Sequence, residues 1–258
     1  MNYMISIFIS TPCYDSMMTM QYTISLLKLI TFLNKNNINY LIDFIGNESL
    51  IPRARNKSLN RFIKSNCTHL FFIDSDIEFD PNAFIELLEF DKDVVCGAYA
   101  RKGYNWNKLI FSLQHESNSK ENLCSRGLDF TYNAKHDSEG KIIKQNNFIK
   151  VTNASTGFML IKRDIIEKLC NIHKELEYKS DEMTKDDEML IGLFHCIIVN
   201  KQYLSEDYSF CHRVNKAGGE VWINVSNNIN HIGKHIFTSD IKNRTNYGRY
   251  NSERNFYN

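Results

Sequence analysis

The chain has 258 residues, with 31 Lys+Arg against 30 Asp+Glu and a formal net charge of +1. That balance excludes holding nucleic acid by bulk electrostatics, which needs a basic excess or stripe. Hydrophobic residues make up 43% and charged residues 24%, an ordinary globular composition long enough for one large domain with a sizeable core. No run of about 18 apolar residues occurs, so no membrane-spanning helix is expected. The start, Met-Asn-Tyr-Met-Ile-Ser-Ile-Phe-Ile, lacks the basic stretch and small-residue cleavage site of a signal peptide. The 7 cysteines are scattered and never spaced as CxxC. They read as reduced thiols in an intracellular, cytoplasmic protein, not as a disulfide framework or a zinc site.

Along the first half, strand and helix patterns alternate. Residues 5–10 are β-branched and apolar and predict a first strand, ended by Thr11-Pro12. Residues 17–33 carry a helical apolar period, and 40–45 predict a second, buried strand closed by Gly46-Asn47. A helix follows over 48–64, with Ala54, Leu59, Phe62 and Ile63 on one face and Arg53, Asn56, Lys57 and Asn60 elsewhere. A third strand covers 69–73, Asp80-Pro81 opens a helix burying Phe84, Leu87 and Leu88, and a fourth strand covers 94–98. Such alternation predicts an α/β fold with a mostly parallel, Rossmann-like central sheet flanked by helices.

Residues 101–150 are polar and poor in periodicity, and read as long loops and short strands with a turn at Ser138-Glu139-Gly140. A strand over 157–161, a helix over 163–173, an acidic connector over 179–188, a helix over 205–217 stopped by Gly218-Gly219, and a strand over 221–225 complete the pattern. One domain over 1–239 is expected, with a nucleotide-binding half (1–100), an acceptor and catalytic half (101–239) and a polar tail over 240–258.

Ligands of such sheets bind outside the carboxyl ends of the strands. That draws attention to residues 11–15, 46–55 and 74–78. Asp74-Ser75-Asp76 ends a buried strand, where two carboxylates repel each other unless a cation or donor sits beside them. Hard oxygen ligands suit Mn²⁺ or Mg²⁺ completed by substrate phosphate, the alternative being a solvated acidic turn. Pro52-Arg53-Ala54-Arg55-Asn56 opens a helix and could hold an anion. Ser205 is a good N-cap, and Glu206 and Asp207 lie in the first turn that follows, where a rigid carboxylate makes a general base. Of the two histidines of Asn230-His231-Ile232-Gly233-Lys234-His235, one neutral imidazole could complete a metal shell.

Taken in order, these pieces resemble the GT-A class of nucleotide-sugar glycosyltransferases. The matching pieces are Thr11-Pro12-Cys13-Tyr14, Pro52 to Asn56, Phe71 to Ile77 with Asp80-Pro81, Gly97-Ala98-Tyr99, Ser155 to Arg163, Ser205 to Phe210, and His231-Ile232-Gly233. Size and the last two pieces are also similar to small glycosyltransferase domains of large DNA viruses. The resemblance implies transfer of a sugar from a UDP- or GDP-sugar to a hydroxyl of a glycan or protein acceptor, with Mn²⁺ or Mg²⁺ as cofactor. Thr11, Pro12 and Tyr14 would line the nucleotide, and Arg53 and Asn56 would touch the nucleoside or diphosphate. Asp74 and Ser75 would reach the ribose or a metal water, and Asp76, with Asp74 and His231, would hold the metal. Ser155, Thr156 and Gly157 would face donor sugar and acceptor. Asp207, or else Glu206, would be the base of an inverting reaction, with His231 and not His235 as the later metal ligand. Glu78 and Asp80 would stand further out, and Asp186-Asp187-Glu188 competes for the base role. Two other functions fit the same sheet. A nucleotidyltransferase would want a Gly-rich first loop, which Ser10 to Tyr14 is not, and a glycan-binding protein would have kept the fold and lost turnover.

Overall fold

The computed structural model of the chain describes residues 5–115, 125–179, 189–233 and 236–237. Its strands in chain order are β1 (Ser6–Cys13), β2 (Asn39–Gly46), β3 (His69–Ile73), β4 (Ile77–Glu78), β5 (Val94–Gly97), β6 (Ala100–Tyr104), β7 (Leu128–Phe130), β8 (Tyr132–Ala134) and β9 (Lys144–Gln145), then β10 (Phe148–Ala154), β11 (Phe158–Lys162), β12 (Glu177–Lys179), β13 (Met189–Ile191), β14 (Ile197–Val199), β15 (Gln202–Leu204), β16 (Val221–Asn224), β17 (Asn230–Ile232) and β18 (Ile236–Phe237). The α-helices are α1 (Met20–Lys35), α2 (Ile51–Lys64), α3 (Pro81–Phe90), α4 (Trp106–His115), α5 (Arg163–Ile172) and α6 (Glu206–Lys216). Among the described residues no helix is long and apolar enough to cross a membrane.

The central sheet has the order β2-β1-β3-β11-β5-β16-β10-β8, with β9 beside β10. β2, β1 and β3 run parallel, as do β5 and β16. β11 runs against both of its neighbours, β3 and β5, and β10 runs against β16 and β8. The fold is therefore α/β with strands mostly in one direction and two reversed.

Period-two alternation divides the core between the two sheet faces. Phe8, Leu70 and Phe72 join Leu59 and Phe62 of α2, Ile166 and Leu169 of α5, and Phe210 and Val214 of α6. Ile7, Ile9, Phe71 and Ile73 join Tyr22, Leu26, Leu29 and Leu33 of α1, and Phe84 and Leu87 of α3. With both faces covered, β1 and β3 read as continuous apolar runs.

Three expectations are corrected. β1 does not stop at Thr11-Pro12 but runs to Cys13. Its ladder with β3 covers only Ile7 to Ser10, so the missing N–H of Pro12 costs no bond on that side. β2 is not buried: it lies at the sheet edge, and Leu41, Ile42 and Phe44 are exposed. Within 101–150 a helix, α4, forms where irregular structure is read from the sequence. The acidic connector over 179–188 is described only at its first residue, which closes β12, and Asp186-Asp187-Glu188, His235 and the 240–258 tail lie outside the described residues. The expected turn at Ser138 to Gly140 is present, closed by the His136–Ile142 bridge. Gly218 takes a φ of 78° just after α6, a conformation that ends helices and suits glycine.

Candidate active site

The carboxyl ends of β1, β3, β5 and β16 lie at one edge of the sheet, where β11 begins. Directly after Ile73 the chain turns through Asp74, Ser75 and Asp76, with the Ile77 amide donating to the Asp74 carbonyl at 3.1 Å. The turn is tied down on both sides. The Thr19 amide at the head of α1 donates to the Ser75 carbonyl at 2.9 Å, and the Ile232 amide donates to the Asp76 carbonyl at 2.8 Å. β4 then pairs with β17 so that Ile77 lies opposite His231. This pairing brings the late histidine beside the Asp-Ser-Asp turn.

His231 stands with Nε2 3.5 Å from Asp76 Oδ1. Its Nδ1 lies 2.9 Å from the Ala100 carbonyl, an acceptor only, so Nδ1 carries the proton. A neutral ring then turns a lone pair on Nε2 toward a carboxylate oxygen, and two acceptors face each other. A cation between them, or a second ring proton, resolves that opposition. Lys102 Nζ already holds the other oxygen, Oδ2. Burial works against the Asp76 charge, but His231 and Lys102 outweigh it and hold its carboxyl below the usual range. The donor set therefore fits a divalent ion. Among the described residues no three His, Cys, Asp or Glu side chains gather as a metal cluster. Asp76 and His231 would be the protein's share, and phosphate and water the remainder.

Asp74 serves a different partner. Arg55 Nη2 donates to Asp74 Oδ1 at 2.5 Å, and the guanidinium lies over the Phe72 ring, 4.8 Å from its centroid. Arg55 is only 2% exposed, and among the described residues its Nε and Nη1 have no hydrogen-bond partner. Burial opposes its charge, and Asp74 and then Glu206 outweigh that and hold it protonated. The Asp74 amide donates to the Gly157 carbonyl at 2.9 Å, and the Gly157 amide donates to the Tyr99 hydroxyl at 3.1 Å. A Cβ on Gly157 would stand 2.3 Å from that hydroxyl and 2.7 Å from Asp74 Oδ2, so only glycine fits. The Tyr99 ring closes the circuit edge-on to His231, 5.2 Å between centroids.

The first turn of α6 faces this group. Asp207 Oδ1 accepts from the Ser205 hydroxyl and, at 2.8 Å, from the Tyr208 amide. Burial pushes the Asp207 carboxyl up, and the Ser205 and Tyr208 hydrogen bonds pull it back only in part. The Glu206 carboxyl is also raised, by burial first and by the Asp207 charge second.

Other residues singled out from the sequence sit around this core. Thr11 is buried and shares a 2.5 Å hydrogen bond with the Tyr22 hydroxyl, Pro12 is buried inside β1, and Tyr14 beyond the strand end is exposed. Arg53 turns away from Asp74 and donates to Glu48 Oε2 at 2.7 Å. Arg53 first, then the Leu50 amide and Lys57, outweigh burial and hold the Glu48 carboxyl down at about 2. Asn56 is fully buried, with Oδ1 accepting from the Phe194 amide at 2.9 Å. Ser155 touches Thr131, and Thr156 is buried. Glu78 holds Asn230 at 2.8 Å, and Asp80 caps α3 at the Asn82 amide, 2.9 Å away. Within the Pro52 to Asn56 segment it is Arg55, not Arg53, that reaches Asp74, and Lys102 lies outside every sequence motif. Arg55 shares the buried stripe of Leu59 and Phe62 at spacings of four and seven, a signal present in the sequence. Lys102 has no comparable signature.

The chain matches no protein-family model and no curated protein sequence. Among solved structures, the crystal structure of A197 from STIV covers 92% of this chain and 94% of its own, at 18% identity and a TM-score of 0.46. GalNAc-T7 with UDP, GalNAc and Mn²⁺ covers 90% of this chain, which spans 44% of that one, at 11% identity and a TM-score of 0.43. A glycosyltransferase involved in glycosylation of the major capsid of PBCV-1 covers 66% of this chain and 64% of its own, at 13% identity and a TM-score of 0.27.

Two stability measurements follow from these contacts. Asp74→Ala strands the buried guanidinium and should cost about 3 kcal/mol or more in urea unfolding. Asp76→Ala breaks only partly exposed pairs and should cost about 1 kcal/mol or less. Equal costs would contradict the assignment of Asp74 to Arg55. The raised Asp207 carboxyl gives a second expectation. Below its ordinary value of 3.8 the folded and unfolded chains are both protonated there. As pH rises through the raised value, the folded chain must bury a charge and loses stability relative to the unfolded one. Asp207→Asn should therefore raise Tm at pH 7, and the gain should vanish under acid conditions.

Proposed function

We propose that the chain is a metal-dependent glycosyltransferase that moves a sugar from a UDP- or GDP-sugar to an acceptor hydroxyl with inversion. The observation that carries this reading is the convergence on one sheet edge of a cation-ready pair, Asp76 and His231, and a raised, partly buried carboxylate at the head of α6. Under this reading, residues 1–100 form the nucleotide half and 101–239 the acceptor half.

The division of labour follows from the contacts. Tyr14, exposed past the end of β1, can lie against the nucleoside, and Arg55 stays on Asp74 and fixes that carboxylate at the end of β3. Asp76 and His231 would hold a divalent ion, which when bound supplies positive charge to the leaving diphosphate. Lys102 would then exchange Asp76 for a phosphate oxygen. Ser155 and Gly157 border the sugar, and the missing side chain of Gly157 leaves room for the Tyr99 hydroxyl and the Asp74 carboxylate packed against it. Among the described residues both hydrogen bonds of Asp207 fall on Oδ1, so Oδ2 is the oxygen that takes the acceptor proton. The raised affinity of Asp207 for a proton makes it a stronger base than a solvated aspartate, and transfer should fall as pH drops through that raised value.

Nucleoside diphosphates tested by thermal shift with and without Mn²⁺ provide the check. At least one should stabilise the protein only with the metal, by about 2.7 kcal/mol when present at 100 times its dissociation constant. Asp207→Asn should keep that shift while transfer falls at least about 100-fold, and Glu206→Gln should lose less. No metal-dependent shift with any nucleotide would overturn the reading, and a more damaged Glu206 variant would reassign the base.

A further inference from the structure

Beside Lys102 lies a cavity of about 640 Å³ whose lining includes Lys102, Tyr104, Asn105, Trp106, Asn107 and Asp129. We infer that this cavity binds one pyranose ring of a glycan acceptor, stacked on Trp106 and Tyr104 and held at its hydroxyl rim by Asp129 and the two asparagines. The inference rests on the transferase reading for the position of the donor, and on the cavity itself for the class of ligand.

The backbone explains why these side chains converge. β6 pairs with β7 at Ala100–Phe130 and at Tyr104–Leu128, so five residues lie opposite three. The surplus bulges out of the ladder and turns Arg101, Lys102 and Gly103 to the cavity. The Asn105 amide then donates to the Gly127 carbonyl at 2.6 Å, and Asn105 Oδ1 accepts from the Lys108 amide at 3.2 Å. These bonds fix the turn that presents Trp106 at the head of α4.

Trp106 is 64% exposed, whereas Trp222, the other tryptophan, is 5% exposed and packed on Phe90. Its ring lies 5.7 Å from that of Tyr104, tilted by 35°, so two aromatic faces form one wall. Leaving an indole in water forgoes much of its burial energy, and an uncovered aromatic platform over a cavity marks a place where a ligand supplies the cover. The opposite wall is polar and fixed. Asp129 Oδ1 holds Lys108 Nζ, and Asp129 Oδ2 accepts from Asn105 Nδ2 at 3.4 Å.

A pyranose has a C–H face that seeks an aromatic ring, and an equatorial rim of hydroxyls, each a donor and an acceptor. The cavity offers both halves. A lipid tail would offer no hydrogen bond to the polar lining of Asp129, Asn105 and Lys102, whereas a hydroxyl rim does. Position agrees as well. Lys102 lines the cavity and reaches Asp76, so the cavity adjoins the Asp-Ser-Asp turn.

The test uses saturation-transfer NMR on the full chain with methyl α- and β-glycosides of glucose, galactose, mannose and fucose, and with N-acetylglucosamine. At least one should receive saturation at its ring C–H protons and shift the fluorescence of the exposed tryptophan. Trp106→Ala should weaken that binding at least tenfold, Trp106→Phe should largely retain it, and Asp129→Asn should weaken it, with nucleotide diphosphate affinity measured alongside in each. Saturation of no glycoside, or undiminished saturation in Trp106→Ala, overturns the inference. A Trp106→Ala variant that loses nucleotide affinity while keeping glycoside binding also overturns it, since the platform then serves the base. Trp106-dependent glycoside binding in a protein that binds no nucleotide would sustain this site and remove the transferase reading instead.

Discussion

A guanidinium sealed into the protein needs a counter-charge at a fixed place, and Arg55 on Asp74 is the constraint on which the edge of the sheet is built. Asp74 is the first residue past β3, and its amide is bonded to Gly157, so the carboxylate cannot follow the arginine if α2 shifts. The pair therefore locks α2 to β3 and β3 to the start of β11. Its field extends further. Asp74 contributes to the raised proton affinities of Cys13, Tyr22, Tyr99, Glu206 and Asp207. Burial is the larger cause in each, but the shared contribution shows that these groups surround one charge.

Against that fixed pair, the neighbouring Asp76 is comparatively free to change partners. It holds Lys102 and faces His231, and both contacts are partly exposed. The Asp-Ser-Asp turn thus separates two tasks between two carboxylates two residues apart. One pairs with the buried Arg55, and the other is held below the usual range by basic neighbours. The carboxylates of α6 represent the opposite choice. Burial raises them, so the folded chain carries an energetic cost at neutral pH that an amide would relieve.

Much of this was legible in the sequence, and the failures have physical causes. β1 and β3 were readable because both faces are covered, which leaves an uninterrupted apolar run. β2 has the same composition and lies at the edge, because neighbour order is not encoded in a strand's own residues. Arg53 and Arg55 of α2 are two positions apart, hence on opposite sides of a helix, and the period of Leu59 and Phe62 selects Arg55 as the inward one. That signal was present, but a charged residue on a buried stripe is discounted unless its counter-charge is known. Lys102 and the α4 platform carry no local signal, since both depend on a bulge created by the pairing of β6 with β7. The approach of His231 to Asp76 likewise depends on β4 pairing with β17, some 150 residues apart in the chain, as the Glu78–Asn230 bond spans 152.

The central claim is that Asp76 and His231 share a divalent ion with a nucleoside diphosphate. Electron paramagnetic resonance of free Mn²⁺, titrated against the protein with UDP or GDP present, tests it most directly. The account requires Mn²⁺ affinity to fall at least about tenfold in both Asp76→Asn and His231→Ala, a loss of about 1.4 kcal/mol each, and to stay near the wild-type value in Asp207→Asn. Equal affinity in the wild type, Asp76→Asn and His231→Ala would contradict it.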